Sequence, residues 1–366
     1  MKPICITRYC PNPHLSGSID GRRDSHPSAV HPVTLRRAPV MRRPELLTAA
    51  LIVLVSVIVG VINPDFYQLS TVFDLLRSCT VVGLLALGVL IVLTAGGIDV
   101  SFTAIAAFTM YLITKVTLQV WPDAPFALIL LVAVASGALL GSFNGLLVYK
   151  LKAPSLIVTI GTQYLIRGAL LIFVGTAFLM DIPPSMDDFG KMTLLRHVTV
   201  SGATTALPAT FLTLLVMAGV TGWLLNRTLM GRAIYAIGGS LSIAERLGYN
   251  LRAVQVFVFA YAGLLAGIAG IVHVSSNRLA NPFDLVGTEL DVIAAVILGG
   301  ARITGGTGSV TGTLLGVVLV TLINNVLILA GIPSTWQKLI IGSLILIGGA
   351  GLALKRTLSL QRTTIV

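Results

Sequence analysis

From Leu46 onward the sequence consists of apolar runs separated only by short polar or glycine-rich segments. A helix needs about 20 apolar residues to cross the hydrocarbon core of a bilayer, and backbone in lipid has no water to satisfy its hydrogen bonds. Only 11% of the 366 residues are charged, against about 25% in a typical soluble domain. The pattern therefore predicts an all-α, polytopic membrane protein and excludes a soluble enzyme.

About ten transmembrane helices, some of them short or broken, follow from the apolar runs. We place them near 46–62, 79–95, 99–120, 125–148, 154–175, 206–225, 253–275, 286–300, 308–329 and 336–354.

Lysine and arginine residues are unequally divided between the two sides of this arrangement. With Met41 on the cytoplasmic side, twelve lie in inside segments and four lie outside, at Arg77, Lys191, Arg196 and Arg278. Because cytoplasmic loops carry the excess of basic residues, this division predicts cytoplasmic N and C termini. The net charge of +11 comes from these clusters, so it reflects membrane orientation and does not indicate nucleic-acid binding.

The first 40 residues differ from the rest, because proline, histidine, serine and arginine are scattered through them without an apolar stretch. No basic segment followed directly by an apolar run, as in a signal peptide, precedes Met41. We interpret residues 1–40 as a disordered cytoplasmic tail or as the result of a start assigned too far upstream. Residues 41–366 form the predicted transmembrane domain.

Two loops are long enough to carry structure of their own. The outer loop, 176–207, has room for a short helix or a hairpin. The inner loop, 226–252, contains a predicted break at Gly238 and Gly239. A predicted short amphipathic helix follows over 242–247, with Ser240 or Ser242 as its cap and Gly248 at its end. An exposed apolar face on the cytoplasmic side favours contact with a partner protein, and a solvated linker with interfacial anchors is the alternative. The face and its flanks consist of Ile243, Ala244, Glu245, Arg246 and Leu247.

Two glycine-rich segments interrupt the helical pattern and leave no room for a polar loop. One, at 94–99, joins the second and third spans, and the other, at 298–308, joins the eighth and ninth. Non-helical backbone at membrane depth persists only where protein or a water-filled cavity satisfies its amides, and such breaks are frequent around transport pathways. Tight cytoplasmic turns that use glycine for close packing explain the pattern equally well.

Ionisable side chains inside spans cost about 2.5–3.5 kcal/mol each on insertion scales, so they invite a functional interpretation. Arg167 is more simply explained by pairing with a carboxylate or by capping a helix end. Uncharged polar side chains can bond helix to helix, or they can line a hydrophilic path for a hydroxyl-rich solute. The candidate pathway residues are Asp99, Asn144, Thr159, Gln163, Arg167, Glu289, Asp291 and Asn324.

The sequence lacks the motifs of nucleotide hydrolysis and metal chemistry. Its only Gly-Lys pair, Gly190 and Lys191, has Ser185 where a Walker A motif needs its first glycine. The three cysteines lack zinc-ligand spacing and the five histidines are dispersed. We therefore expect no enzymatic activity, no cofactor and no metal site in this chain.

Several motifs occur in a specific order along the chain. They are GGIDVS at 96–101, FNG at 143–145, APSLIVTIG at 153–161, TLMGRAIYAIG at 228–238, ELDVIAAVILGG at 289–300 and GGTG at 305–308. In this order they resemble the permease subunits of the ribose and related monosaccharide ABC importers, and the likeness covers about residues 45–354.

The resemblance implies a permease of the bacterial inner membrane with several partners. These are a second permease chain, cytoplasmic ABC ATPase subunits and a periplasmic solute-binding protein. By the same resemblance Arg232 and Tyr235 belong to the ATPase-coupling loop. The superfamily also includes importers of nucleosides, of a signalling sugar derivative and of branched-chain amino acids. A monosaccharide or a related small polar solute is the expected cargo.

The sequence departs from the family pattern at two places. Residues 100–103 read VSFT where a Leu-Ser-Val-Gly type sequence is usual, which predicts different packing of the third span. Residues 240–249 also differ, which affects the identity of the partner ATPase and not the coupling role.

Two other classes of function stay open at this point. An ion-coupled secondary transporter would use the broken helices without an ATPase, and intramembrane Asp99 and Glu289 are the observations in its favour. A membrane scaffold without transport is the third possibility. The amphipathic inner loop favours the ABC permease.

Overall fold

The computed structural model describes residues 44–62, 64–198 and 204–329, with four isolated positions at 336, 339, 342 and 343. The predicted tail at 1–40 and nearly all of the predicted last span, 336–354, lie outside the described residues.

Within the described residues the chain forms twelve α-helices and one β-hairpin. The helices are α1 (Pro44–Ile62), α2 (Leu69–Thr94), α3 (Phe102–Val120), α4 (Phe126–Leu151), α5 (Ser155–Ala169), α6 (Pro184–Lys191), α7 (Thr210–Arg227), α8 (Leu229–Gly239), α9 (Leu241–Arg246), α10 (Leu251–Asn277), α11 (Glu289–Leu298) and α12 (Val310–Leu329). The antiparallel hairpin consists of β1 (Thr193–Val198) and β2 (Thr204–Pro208).

Six of the described helices are long and apolar enough to cross a bilayer: α2, α3, α4, α5 with its π-helical extension to Val174, α7 and α10. Shorter apolar stretches lie in α1 and α12. This confirms a mainly helical, polytopic membrane protein. The total of about ten spans and the cytoplasmic termini stay predictions.

The sixth span was predicted to begin at 206, but residues 204–208 form β2 and α7 begins at Thr210. Two other predicted spans differ most in length from the helices observed. The second was expected to begin at 79, but α2 begins at Leu69, because the polar first turns extend the helix beyond the apolar run. Arg77 in this extension donates from Nη2 to the carbonyl oxygen of Ser276, 2.8 Å away, near the end of α10. The eighth span shrinks to α11, whose 10 residues rise only about 15 Å, roughly half of the hydrocarbon thickness. Left-handed Gly287 and Gly300 lie just beyond its two ends.

The outer loop contains both of the elements considered for it, a short helix and a hairpin. Helix α6 begins with Pro184 at its first position and packs against α10. The side chains of Asp187 and Lys191 form an ion pair, and Arg278 Nε lies 3.1 Å from Asp187 Oδ1. These groups are partly exposed, so each pair contributes little to stability.

Helices α2 and α10 form the centre of the molecule. Helix α10 packs against α2, α3 and α4, and α2 also packs against α7, α11 and α12. The apolar core is concentrated on these helices and includes the fully buried Leu84, Leu87, Leu265 and Ala266.

The contact between α4 and α10 depends on glycines. A Cβ at Gly141 would overlap the carbonyl oxygen of Phe259, and a Cβ at Gly137 would overlap that of Gly263. In lipid, small residues allow helix backbones to approach closely, and van der Waals packing then holds the helices together. Close approach of these two helices also fixes the position of Asn144 on the C-terminal half of α4.

We predict that Gly141→Ala destabilises the protein by about 1–3 kcal/mol, because backbone atoms must move to admit the methyl group. Gly219→Ala is the matched control, since a Cβ added at this exposed position of α7 would meet no atom within 4 Å. The control should be neutral or slightly stabilising, because alanine is the better helix former by up to about 1 kcal/mol. Thermal unfolding in detergent compares the two variants, and equal melting temperatures would contradict the packing account.

Candidate functional site

The segment between α2 and α3 is non-helical, and its last three residues are buried. It runs from Ala95 to Ser101, with Gly96 in a left-handed conformation at φ 83°. The Asp99 side chain is only 2% exposed, and Ser101 is fully buried. Such a segment needs hydrogen-bond partners from the surrounding protein.

Side chains of α5 provide these partners. The amide of Ile98 donates to Ser155 Oγ at 2.8 Å, and the amide of Val100 donates to Thr159 Oγ1 at 3.4 Å. Thr159 Oγ1 also lies 3.4 Å from the carbonyl oxygen of Ile98. The first turn of α5 therefore replaces the helical hydrogen bonds that the segment lacks.

Asp99 is the first member of a buried hydrogen-bonded chain. Its Oδ1 accepts from the Ser101 amide at 2.8 Å and from Ser101 Oγ at 2.6 Å. Ser101 Oγ in turn accepts from Asn144 Nδ2 at 2.6 Å. The chain ties the non-helical segment to α4. Asn144 Oδ1 is buried and has no hydrogen-bond partner among the described residues.

Glu289, at the first position of α11, is the centre of a second cluster. Its Oε1 accepts from Thr103 Oγ1 at 2.6 Å and from Gln163 Nε2 at 2.8 Å. Within the described part of the chain no lysine or arginine pairs with this carboxylate. The N-terminal end of a helix stabilises a nearby negative charge, which suits Glu289 in this position.

Five of the eight candidate pathway residues therefore belong to these two clusters: Asp99, Asn144 and Thr159 to the first, and Gln163 and Glu289 to the second. Together with Thr103, they come from α3, α4, α5, α11 and the segment itself.

The other three candidates are all half-buried. Arg167 lies one turn beyond Gln163 on α5, and its guanidinium makes no hydrogen bond or ion pair with another described residue. Asp291 lies two residues after Glu289. Asn324 lies on α12 and makes no hydrogen bond to the cluster within the described residues.

Three hydroxyl residues of the cluster were not selected from the sequence: Ser101, Thr103 and Ser155. Ser101 and Ser155 belong to the motifs GGIDVS and APSLIVTIG. Their positions close to Asp99 and Pro154 in these motifs were the sequence feature that could have identified them. Thr103 was recognised only as a departure from the family pattern, and the structure shows that its hydroxyl donates to Glu289.

The two interrupted segments meet at the end of α8. The amide of Gly306 donates to the carbonyl oxygen of Thr94, the last residue of α2, at 2.9 Å. A Cβ at Gly238 would overlap that same carbonyl oxygen and would lie 2.6 Å from the Gly306 nitrogen. Gly96 and Gly305 approach Gly238 from the two segments. At Gly238 the inner loop therefore contacts both breaks through backbone atoms. We call this contact the glycine junction (Thr94, Gly96, Gly238, Gly305, Gly306).

Tyr235 adds a side-chain bond to this junction. Its hydroxyl donates to the carbonyl oxygen of Gly308 at 2.8 Å. Burial raises the pKa of the Tyr235 phenol above its ordinary value, so the hydroxyl stays protonated at neutral pH and keeps its ability to donate.

The predicted short helix of the inner loop is present as α9. The Ser240 side chain caps it by accepting from the Ile243 amide at 3.5 Å, and left-handed Gly248 follows its end. Helix α8, before it, continues through Gly238 and Gly239, where a break was expected.

The exposed face of α9 differs from the predicted one at a single position. Ile243 and Leu247 are 59% and 66% exposed, whereas Ala244 is fully buried in the core of the chain. Spacing alone placed Ala244 on the outer face, but its small side chain is the one that packs against the core. Glu245, Arg246 and Arg232 are exposed.

A polytopic helical protein with interrupted helices around a buried polar cluster has the architecture of a membrane transport permease. The chain belongs to the family described as branched-chain amino acid transport system permease components, whose model matches residues 71–348.

Curated relatives extend over most of this chain. It is 33% identical over 290 residues to the ribose import permease protein of Haemophilus influenzae, covering 79% of this chain and 87% of that protein. It is also 33% identical over 298 residues to an autoinducer 2 import system permease protein of Yersinia pseudotuberculosis, covering 80% and 79%. The ribose import permease protein of Escherichia coli K12 is 30% identical over 299 residues, covering 81% and 90%. No solved structure matches the chain.

The chain is therefore a multi-pass inner-membrane permease subunit of an ABC importer, and ATP hydrolysis belongs to a separate ATPase subunit. Family membership favours this class over the ion-coupled secondary transporter.

We predict that Ser101→Ala destabilises the protein by about 1–3 kcal/mol, because Asn144 Nδ2 loses its buried acceptor and Asp99 loses a donor. Ser136→Ala is the matched control, since Ser136 Oγ bonds only locally to the carbonyl oxygen of Ala133. Thermal unfolding should separate the two variants, with the control close to wild type. An unchanged melting temperature for Ser101→Ala would show that the chain from Asp99 to Asn144 contributes little.

Proposed function

We propose that this chain carries a monosaccharide or a related small polar solute into the cytoplasm. The observation that supports this proposal most directly is the set of half-buried polar side chains beside the buried clusters, Gln163, Arg167 and Asp291, because it supplies amide, guanidinium and carboxylate groups within an apolar helical body. A sugar offers hydroxyls that both donate and accept, so it matches such a lining. Relatives named for the import of ribose and autoinducer 2 support the same solute class.

Burial separates the proposed roles of the polar residues. Asp99, Asn144 and Thr159 are almost fully buried. Asp99 lies in the non-helical segment, and Asn144 and Thr159 form hydrogen bonds to it, so these three residues hold the segment in place. Gln163, Arg167 and Asp291 are only half-buried, so they are the side chains that face the solute, with Glu289 behind Gln163. Asn324 on α12 is assigned to a separate part of the path.

The assembly has four further components in this proposal. A second permease chain completes the membrane unit, a periplasmic protein delivers the solute, and two cytoplasmic ATPases bind the inner loop. Both termini are cytoplasmic, as the distribution of lysine and arginine predicts. Helix α9 then lies on the ATPase side.

A mechanical link from the ATPase to the pathway follows from the glycine junction. Ile243 and Leu247 present an apolar face that fits a groove on a partner, and Glu245, Arg246 and Arg232 flank it. Movement of α9 is passed to α8, with which it packs. Gly238 at the end of α8 touches the last residue of α2 and the turn before α12. A shift of α8 therefore displaces both interrupted segments together, and Tyr235 transmits it through Gly308.

For the solute path, we predict that Gln163→Leu lowers solute uptake about tenfold, which corresponds to about 1.4 kcal/mol and is within the range of one lost hydrogen bond. The control is Ser136→Ala, whose hydroxyl bonds locally to the carbonyl oxygen of Ala133 on α4. Uptake of radiolabelled ribose, other monosaccharides and leucine should be measured at equal membrane abundance. Uptake of leucine without any sugar would contradict the proposed solute class.

For the coupling surface, we predict that Leu247→Asp abolishes ATPase co-purification and stimulated ATP hydrolysis, because it places an unpaired carboxylate in an apolar groove. Leu195→Asp on β1 is the matched control, since Leu195 is also an exposed leucine, at 59%, and the proposed orientation puts it on the opposite side of the membrane. The control should bind the ATPase normally. Full ATPase binding by Leu247→Asp would move the coupling surface elsewhere, with the turn at Ala301 and Arg302 as the next candidate.

A further inference from the structure

An apolar groove lies beside the contact between α4 and α10. Its volume is about 720 Å³, within the range of about 300–1,000 Å³ that is usual for small-ligand sites. Because glycines bring the two helix axes close together, the larger side chains on either side form the walls. The lining residues are Leu139, Ser142, Phe143, Leu146, Asn250, Arg252, Ala253, Val256 and Phe257.

Apolar side chains line most of the groove, and basic side chains lie at one end of it. Leu139, Phe143 and Leu146 recur on one face of α4, and Lys150 continues this face at spacings of three and four residues. Arg252 lies at the start of α10, beside the last turns of α4 in the groove. Both cations are exposed, and none of the described residues that line the groove is an aspartate or a glutamate. The start of a helix adds partial positive charge at the same end.

We propose that this groove binds an anionic phospholipid of the inner leaflet. Its phosphate pairs with Arg252 and Lys150, and an acyl chain lies against Leu139, Phe143 and Leu146. This assignment rests on the proposed orientation, which places the basic end of the groove at the cytoplasmic surface.

The combination of basic and apolar side chains favours an anionic lipid over the other candidate occupants. Free phosphate would be held by the cations but would leave the apolar walls without a partner. A second permease chain would have to bring carboxylates into the groove to match two cations. An anionic lipid satisfies both ends, and basic pockets between transmembrane helices on the cytoplasmic side are known to hold such headgroups.

The test measures phospholipid retained by the full-length chain after purification from mixed phosphatidylglycerol and phosphatidylcholine membranes. Native mass spectrometry counts the bound lipids. We expect wild type to retain phosphatidylglycerol in preference to phosphatidylcholine. The double variant Lys150→Gln with Arg252→Gln should reduce the retained phosphatidylglycerol about tenfold or more. Ala253→Trp, which fills the groove without changing charge, should reduce it to a similar extent.

Two controls separate the groove from general effects. Arg227→Gln removes an exposed cation at the end of α7, and Ala127→Trp adds bulk at the exposed opposite end of α4. Both should retain lipid as wild type does. Equal retention of phosphatidylglycerol in all variants would overturn the proposal, and so would an equal loss of it in the two controls. A loss of the dimer mass in Ala253→Trp would also overturn it. Lipid retention is measured without solute or ATP, and import is measured separately in the uptake experiment. A failure of the lipid proposal is therefore distinguishable from a failure of the proposed function.

Discussion

The need to satisfy backbone amides away from water determines how this permease is built. The chain leaves the helix after α2, and the amides of Ile98, Val100 and Ser101 donate to Ser155, Thr159 and Asp99 instead of to a helical turn. This arrangement requires α5 to lie against the start of α3 and requires α4 to bring Asn144 to Ser101. The glycines between α4 and α10 make that position of α4 possible. The polar cluster therefore depends on the close packing of α4 against α10.

The same arrangement divides the polar residues by burial. Those that hold the segment are buried and bonded, whereas Gln163 and Arg167 follow each other along α5 at half-buried positions. Glu289 joins α11 to α3 and α5 through two hydrogen bonds. Helix α11 is only long enough for about half of the hydrocarbon thickness, and Glu289 at its first position is buried.

Sequence patterns predicted the parts of the fold that depend on local chemistry. The apolar runs located the membrane helices, the glycine-rich breaks located the two interrupted segments, and Ser240 and Gly248 located α9. The remaining features depend on tertiary contacts. Nothing in the sequence distinguishes Thr103 and Ser155 from other hydroxyl residues. Their roles come from hydrogen bonds to Glu289 of α11 and to the amide of Ile98, which only the fold brings within reach. Ala244 has the spacing of the exposed face of α9, and only packing against the core determines that it is buried. Gly238 lies in a stretch predicted to be a break, but its importance comes from the approach of Thr94 and Gly306.

The most direct test of this account is hydrogen exchange of the complete importer with and without a trapped ATP-hydrolysis state. If the glycine junction links the ATPase to the pathway, the amides of 95–101 and of 304–308 change protection together with those of α8 and α9. In Gly238→Val, which separates the junction, the change should stop at α8. Exchange at 95–101 that is the same in every nucleotide state of the wild type, while α8 and α9 respond, would contradict the link between the inner loop and the buried segment.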